Sequence, residues 1–484
     1  MQLIFNQNNG LTYIPKWLTN KGLIAFLLAF GGIAVVWSEY TVPLGFAVVS
    51  VISVFVFFYG GNTLSNSWKN INSKDYVKRV FIIGILLRAF WSLYVYFWNQ
   101  SYFGTTLGSL EDVGFYVSMG QEAANSLSNF NFSFIDRWLN VYKISIDDIG
   151  YPLLLGIEYA LSGNISDVVV PFICKTLMGA YTSVLIYKIA HRHFDENVAR
   201  IAAVFCMLNP NMIWWCASMM KETDMVFFST LFVERMDNAL TQKKISFVGF
   251  VPAALIGSYV FLYRAALGAV TFLAFFATII LVSRKIVSTG KKVLAGLLVA
   301  LVLAVGMGQT IIDKSKDMYE NVRGGGQKGN MEWRSKRAGG NQFAKYAGAA
   351  VFAPLIFTLP FPTLSCANPN QFSQMQLSGG NYIKNVLSAF VIFAMIVLVF
   401  SGEWRKHVFP MSFMLGYLVI LVMSGYAQSG RFHMPIWPFE MMFAAYGLCM
   451  LPKKKKYWIN YVLVGEIVIC FAWQWFKLKG RGMI

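Results

Sequence analysis

The residues of this chain that could move a proton or hold an anion are few and fall in short stretches. Glu111-Asp112-Val113-Gly114-Phe115-Tyr116 opens a helical stretch to about residue 125, in which Asp112 and Tyr116 share a face at i, i+4 while Glu111 points elsewhere. A carboxylate partly desolvated by apolar neighbours gains proton affinity, which suits a general base, although an acid at a helix start is often only a cap. Asn209-Pro210, followed by Met219-Met220-Lys221-Glu222-Thr223-Asp224, predicts a helix broken at proline and a turn of about ten residues presenting Lys221 and Glu222. Those two form either a functional pair or a structural ion pair. Arg264 stands between Tyr263 and Ala265 with almost no loop around it, holding an anion or snorkelling. Arg431-Phe432-His433-Met434-Pro435-Ile436-Trp437-Pro438 places an arginine ahead of two prolines, a rigid approach to a helix, from which a guanidinium can grip phosphate with two hydrogen bonds. Lys175 is a further cation inside an apolar run, and Tyr116 and His433 are further candidate substrate contacts. The chemistry these types suit is general-base action by a carboxylate beside cations that can hold an anion such as phosphate.

Composition says what must position them. Of 484 residues, 56% are hydrophobic, 16% aromatic and only 13% charged, more apolar surface than a soluble core can hide. An all-α polytopic membrane protein is expected. About thirteen runs approach the roughly 20 residues that cross a bilayer: 22–37, 41–60, 80–98, 171–189, 201–217, 225–240, 247–262, 265–282, 293–311, 386–400, 408–423, 434–451 and 457–476. Runs 151–162 and 347–362 are short and read as interfacial or re-entrant. The first run lacks a small-residue cleavage site after it and reads as a signal anchor.

Lys and Arg collect in every second short loop: Lys69, Lys74, Lys78 and Arg79; Lys188, Arg192 and Arg200; Lys243 and Lys244; Arg284, Lys285, Lys291 and Lys292; Arg405 and Lys406; Lys453 to Lys456. The charge rule places these in the cytoplasm, with the N-terminus. A single multi-span domain, 1–484, then has long outer loops at 99–170, with interfacial helices, and 312–385, with a re-entrant or interfacial segment. The stretches carrying Asp112, Lys221, Glu222, Arg264 and Arg431 all face outward. The expected setting is a bacterial inner membrane.

The net charge of +18 is largely topological and needs no nucleic acid, since anionic lipid is counter-charge enough. Loop 313–345 is basic, with Lys314, Lys316, Arg323, Lys328, Arg334, Lys336, Arg337 and Lys345, and is either simply solvated or an arm over an anionic substrate. Cys174, Cys206, Cys216, Cys366, Cys449 and Cys470 show no paired metal spacing, nor do His191, His193, His407 and His433. No metal site or other cofactor is supported, and a divalent ion would need ligands without a recognisable spacing. There is no P-loop and no dinucleotide fingerprint.

Taken together, the Asp112-x-x-x-Tyr116 stretch, Gly150-Tyr151-Pro152-Leu153-Leu154-Leu155 ending in Leu161-Ser162-Gly163, the Pro210 to Lys221-Glu222 turn and Arg431-x-x-x-Pro435-x-x-Pro438 resemble the C-type integral-membrane glycosyltransferases over roughly 80–450. These are polytopic enzymes similar to protein mannosyltransferases and the lipid A aminoarabinose transferase. The resemblance implies a sugar donor on polyprenyl phosphate or pyrophosphate, transferred on the non-cytoplasmic side with inversion. It gives Asp112 the role of base, gives Lys221, Arg264 and Arg431 the lipid phosphate and the charge that develops as it leaves, and leaves Glu222 to orient Lys221 or the sugar. Many members carry Asp-Glu in the first loop where this chain has Glu111-Asp112, so both carboxylates stand for the base. Trp214-Trp215 is followed by Cys216 where the oligosaccharyltransferase acceptor motif has Asp, and no long polar C-terminal stretch suits a polypeptide acceptor. A glycan or lipid-linked acceptor in surface polysaccharide or glycolipid assembly is the expectation. A repeat-unit polymerase is the alternative, and a lipid-linked glycan flippase the alternative from another class.

Overall fold

The structure is a computed structural model and describes residues 11–107, 111–163, 167–241, 247–282, 332, 335, 336, 340–346, 349–366, 377–424 and 427–484. The run 293–311 and nearly all of loop 313–345 lie outside these residues. Among the described residues every regular element is a helix: α1 (Lys16–Val36), α2 (Leu44–Ser67), α3 (Ser73–Phe103), α4 (Glu111–Leu127), α5 (Gly150–Leu161), α6 (Val169–His193), α7 (Glu196–Leu208), α8 (Pro210–Trp214), α9 (Glu222–Thr241), α10 (Phe247–Phe261), α11 (Ala265–Val282), α12 (Ser378–Ser401), α13 (Val408–Ser424), α14 (Trp437–Met450) and α15 (Trp458–Lys479). Length and hydropathy qualify seven candidate spans: α1, α2, α3, α6, α12, α15 and α13 with the preceding 3-10 turn. Helix α3, at 31 residues, is about 46 Å long and overshoots the hydrocarbon core.

The run 201–217, counted among the spans, is not one helix but breaks where Asn209-Pro210 predicts. Helix α7 stops at Leu208, and the Asn209 side chain accepts from the Asn211 and Met212 amides, starting α8 with Pro210 in its first turn. Proline has no N–H to give and is favoured there. The 13 residues of α7 make about 20 Å, short of a full crossing. The run 347–362 forms only the short turns Ala349–Phe352 and Ala353–Leu355 among its described residues.

Two helices have no lipid face. From Val198 to Leu208 in α7 and from Trp437 to Cys449 in α14 every residue is buried. Helix α7 packs on α6 and α14, and α14 on α12. Lipid tails are as apolar as Leu, so such contacts rest on close packing of small residues. A Cβ on Gly447 of α14 would lie 2.1 Å from the Phe390 carbonyl oxygen of α12. Around this centre α1, α2, α3 and α15 expose Leu28, Leu44, Phe90 and Val464, side chains suited to a bilayer.

Between α3 and α6, α4 lies against α5 so closely that a Cβ on Gly156 would meet that of Ala123 at 2.4 Å. Met119, Ala123, Phe134, Trp138 and Ile149 give this connection its own small core, and Glu122 ties it by accepting from Arg137 and the Trp138 indole, each at 2.8 Å. The connection is stitched to the α10–α11 turn. The Gly150 amide donates to the Leu262 carbonyl at 2.9 Å, and a Cβ on Gly150 would sit 2.9 Å from that same oxygen.

Candidate functional site

The ends of α4, α9, α11 and α14 converge where α6 begins. Helix α6 places Lys175 in its second turn and His193 at its far end, about 27 Å away, so the converging charges belong to one end of the bundle.

Arg431, in the short helix Gly430–His433, joins two carboxylates. Its Nη1 lies 2.9 Å from Asp112 Oδ2 and its Nε 3.5 Å from Glu222 Oε1. The two acids differ. The Asp112 side chain is 45% exposed, whereas that of Glu222 is fully buried at the start of α9. Burial works against the Arg431 charge, but Glu222 and Asp112 outweigh it and raise the guanidinium pKa. Asp112 is thus half-exposed and oriented by an arginine, where its sequence context predicts a carboxylate partly desolvated by apolar neighbours. Glu222 meets Arg431 directly, and its charge also acts on Lys221.

Lys221 is buried beside Tyr116, its ammonium 5.8 Å from the ring centroid. It pairs with Asp148 and donates to the Tyr263 carbonyl at 3.0 Å. Burial, aided by nearby Arg264, pushes its pKa down, and Asp148 opposes that. Arg264, held in the tight α10–α11 turn, donates from Nη1 to the Tyr417 hydroxyl at 3.1 Å and lies 4.2 Å from the Phe432 ring centroid. The Arg431 guanidinium lies 5.3 Å from the same ring. Phe432 therefore carries both guanidiniums, an arrangement in which one face can receive a multiply charged oxyanion. Tyr116 is buried against Tyr151, rings 5.2 Å apart and edge-on, and burial with Asp148, Glu222 and Asp112 around it pushes its hydroxyl pKa up.

Two candidates are not brought into this group. Lys175 is fully buried behind Tyr151, whose ring it faces at 4.4 Å, pairs with Asp224 at 2.8 Å and donates to the Met220 carbonyl. It braces the turn that carries Lys221. His433 is fully buried, with Nε2 2.6 Å from the Ala427 carbonyl, and burial with Lys384 nearby pushes it down to about 3, so it supplies no cation. Glu111 begins α4, and its side chain lies outside what the structure describes.

Asp147 and Asp148 join the group without being among the residues singled out from the sequence. Asp148 holds Lys221, and Asp147 Oδ2 accepts from the Ala265 amide at 3.3 Å, tying this connection to the Arg264 turn. Adjacent acids two residues ahead of Gly150-Tyr151-Pro152 were the available signal.

Beneath the site, Glu158 of α5 is buried near Lys175 and Asp224. Burial, then Asp224, pushes its carboxyl up to about 7, against Lys175 and a hydrogen bond with Cys174. Its folded pKa exceeds the usual carboxylate value, so the native state binds this proton more tightly than the unfolded chain. The stability it contributes is full below pH 4.5 and is lost as pH rises through 7. Glu158→Gln is therefore expected to leave the thermal midpoint in detergent unchanged near pH 4.5 and to raise it by a few degrees at pH 8, flattening the profile between.

Residues 149–307 match the family model described as dolichyl-phosphate-mannose-protein mannosyltransferase. The matched stretch includes α5, Lys175, Lys221, Glu222 and Arg264, and Asp112 and Arg431 lie to either side of it. No curated protein matches the chain.

Proposed function

We propose, for a chain similar over residues 149–307 to the dolichyl-phosphate-mannose-protein mannosyltransferases and hence a membrane glycosyltransferase of the C type, that the donor is a sugar on a polyprenyl phosphate or pyrophosphate. The acceptor is a hydroxyl of a glycan or lipid-linked glycan, and transfer takes place with inversion on the non-cytoplasmic face, in surface polysaccharide or glycolipid assembly. The observation that supports this most is Arg431 set between half-exposed Asp112 and buried Glu222, sharing Phe432 with Arg264.

Each residue then has a task. Asp112, gripped through Oδ2 by Arg431, takes the acceptor proton on its other oxygen. The acceptor oxygen bonds to the anomeric carbon as the carbon–oxygen bond to phosphate breaks and its electron pair stays on the leaving phosphate. Arg264 and Arg431 meet that charge with donors left over from their protein contacts. Lys221 contributes as a point charge shared between Asp148 and phosphate. Glu222 touches no substrate and keeps the Arg431 guanidinium in place. Lys175 and Tyr151 hold the turn behind it.

The stereochemistry tests this directly. With a donor of defined anomeric configuration, NMR of the first-formed product should show the opposite anomer, because one displacement opposite the phosphate inverts the centre. A product with retained configuration would contradict the proposal.

A further inference from the structure

Arg88 sits midway along α3, and its side chain is fully buried. An arginine at the centre of a spanning helix is costly to place there and is seldom found without a task. Among the described residues no carboxylate forms an ion pair with it. Its Nη1 donates instead to two backbone carbonyls, Gly84 at 3.2 Å and Met207 at 3.3 Å. Met207 belongs to the last turn of α7, where the break at Asn209-Pro210 leaves the final carbonyls without helical donors and the helix dipole concentrates negative charge. Arg88 is the cation that answers that end of α7.

The packing is cut to fit it. A Cβ on Gly179 of α6 would lie 2.7 Å from Arg88 Nε and 2.6 Å from Cys216 Sγ, and one on Gly84 would lie 3.2 Å from the Ala180 Cβ. The missing side chain at 179 is the slot through which the guanidinium passes between α6 and the turn after α8. Cys216 in that turn donates to the Met212 carbonyl at 3.2 Å and receives the Thr223 hydroxyl at 3.9 Å. Thr223 directly follows Lys221 and Glu222. A chain of contacts therefore runs from a buried charge in α3 to the two residues that the turn delivers.

We infer that Arg88 is a positioning residue for the site: it fixes the end of α7 and the turn after α8 so that Lys221 faces Asp148 and Glu222 faces Arg431. This rests on the site reading above but not on the identity of the donor. A cap that only stabilised α7 would give a lower thermal midpoint and nothing else when removed.

The test uses full-length protein in nanodiscs carrying Arg88→Met, Arg88→Lys or Gly179→Ala, each alone and with Lys221→Cys as a reporter. Modification of that cysteine by a small charged thiol reagent, resolved from the six native cysteines by peptide mass, reads the position of the turn without any substrate. R88M and G179A should each speed labelling at position 221 about tenfold in samples that remain monodisperse, and in chains with Lys221 intact should raise KM for polyprenyl-phosphate sugar more than they lower kcat. R88K, which keeps the charge, should recover part of both. Should R88M fail to fold, G179A crowds the same slot with the arginine in place. Wild-type labelling rates and KM in R88M and G179A, with or without a lower midpoint, would overturn the inference. Faster labelling in a protein that transfers no sugar from any polyprenyl-phosphate donor would sink the proposed function and leave the positioning role standing.

Discussion

Asp112→Asn is expected to lower the turnover number for sugar transfer by about 10²–10⁴-fold, the range a positioned general base supplies, with little change in donor KM. Asparagine matches aspartate in shape, and its amide oxygen can still accept from Arg431 Nη1, which now lies 2.9 Å from Oδ2. The variant keeps the geometry of the α4 end and loses only the oxygen able to take a proton. Steady-state kinetics with a radiolabelled donor would show it. The effect has to appear in kcat, because no bond to the bound donor phosphate is removed. A raised KM with kcat unchanged would mean that Asp112 serves binding, and the base would have to be sought elsewhere.

Arg431→Ala is expected to do two separable things. Removing a donor aimed at developing negative charge costs about 10²–10³ in kcat, roughly 2.7–4 kcal/mol. It also strands Glu222, a carboxylate with a fully buried side chain facing Arg431 at 3.5 Å. Breaking a buried pair by removing one partner costs about 3–5 kcal/mol; the Arg431 side chain is 29% exposed, so solvent reduces that figure here. The double variant Arg431→Ala/Glu222→Gln separates the parts. Neutralising Glu222 should restore most of the lost thermal stability and none of the lost activity, a non-additivity that a double-mutant cycle reads directly. Full recovery of activity in the double variant would show that Arg431 matters only as a counter-ion.

What the sequence made legible was the local part of this architecture. Apolar runs of spanning length marked α1, α2, α3, α6, α12, α13 and α15, and proline after asparagine marked the break at 209–210, because both signals are written in adjacent residues. The short run at 151–162 became the 12-residue α5 for the same reason. Which charge meets which was not legible. Asp112 and Arg431 are 319 residues apart, and no spacing rule links them. Lys175 and Lys221 looked alike as cations near the same end, yet Asp224 neutralises one behind Tyr151 while the other lines the site with Asp148. His433 beside Arg431 looked like part of the same grip, but the short helix that turns Arg431 toward α4 turns His433 into the core. Arg88 stands out in the sequence as the one charge inside the apolar run 80–98, but its partners, the backbone of α7 and the empty slot at Gly179, do not. Tertiary packing, not propensity, assigns these roles.

The most direct test is transfer from a synthetic polyprenyl-phosphate sugar, radiolabelled in the sugar, by purified protein in nanodiscs, with Asp112→Asn and Arg431→Ala alongside. The account predicts that the wild type releases polyprenyl phosphate and moves label to a glycan acceptor, that both variants stay folded, and that both lose this release. Equal release by all three proteins would place the chemistry away from Asp112 and Arg431, and no release by the wild type from phosphate- or pyrophosphate-linked donors would contradict the lipid-linked donor itself.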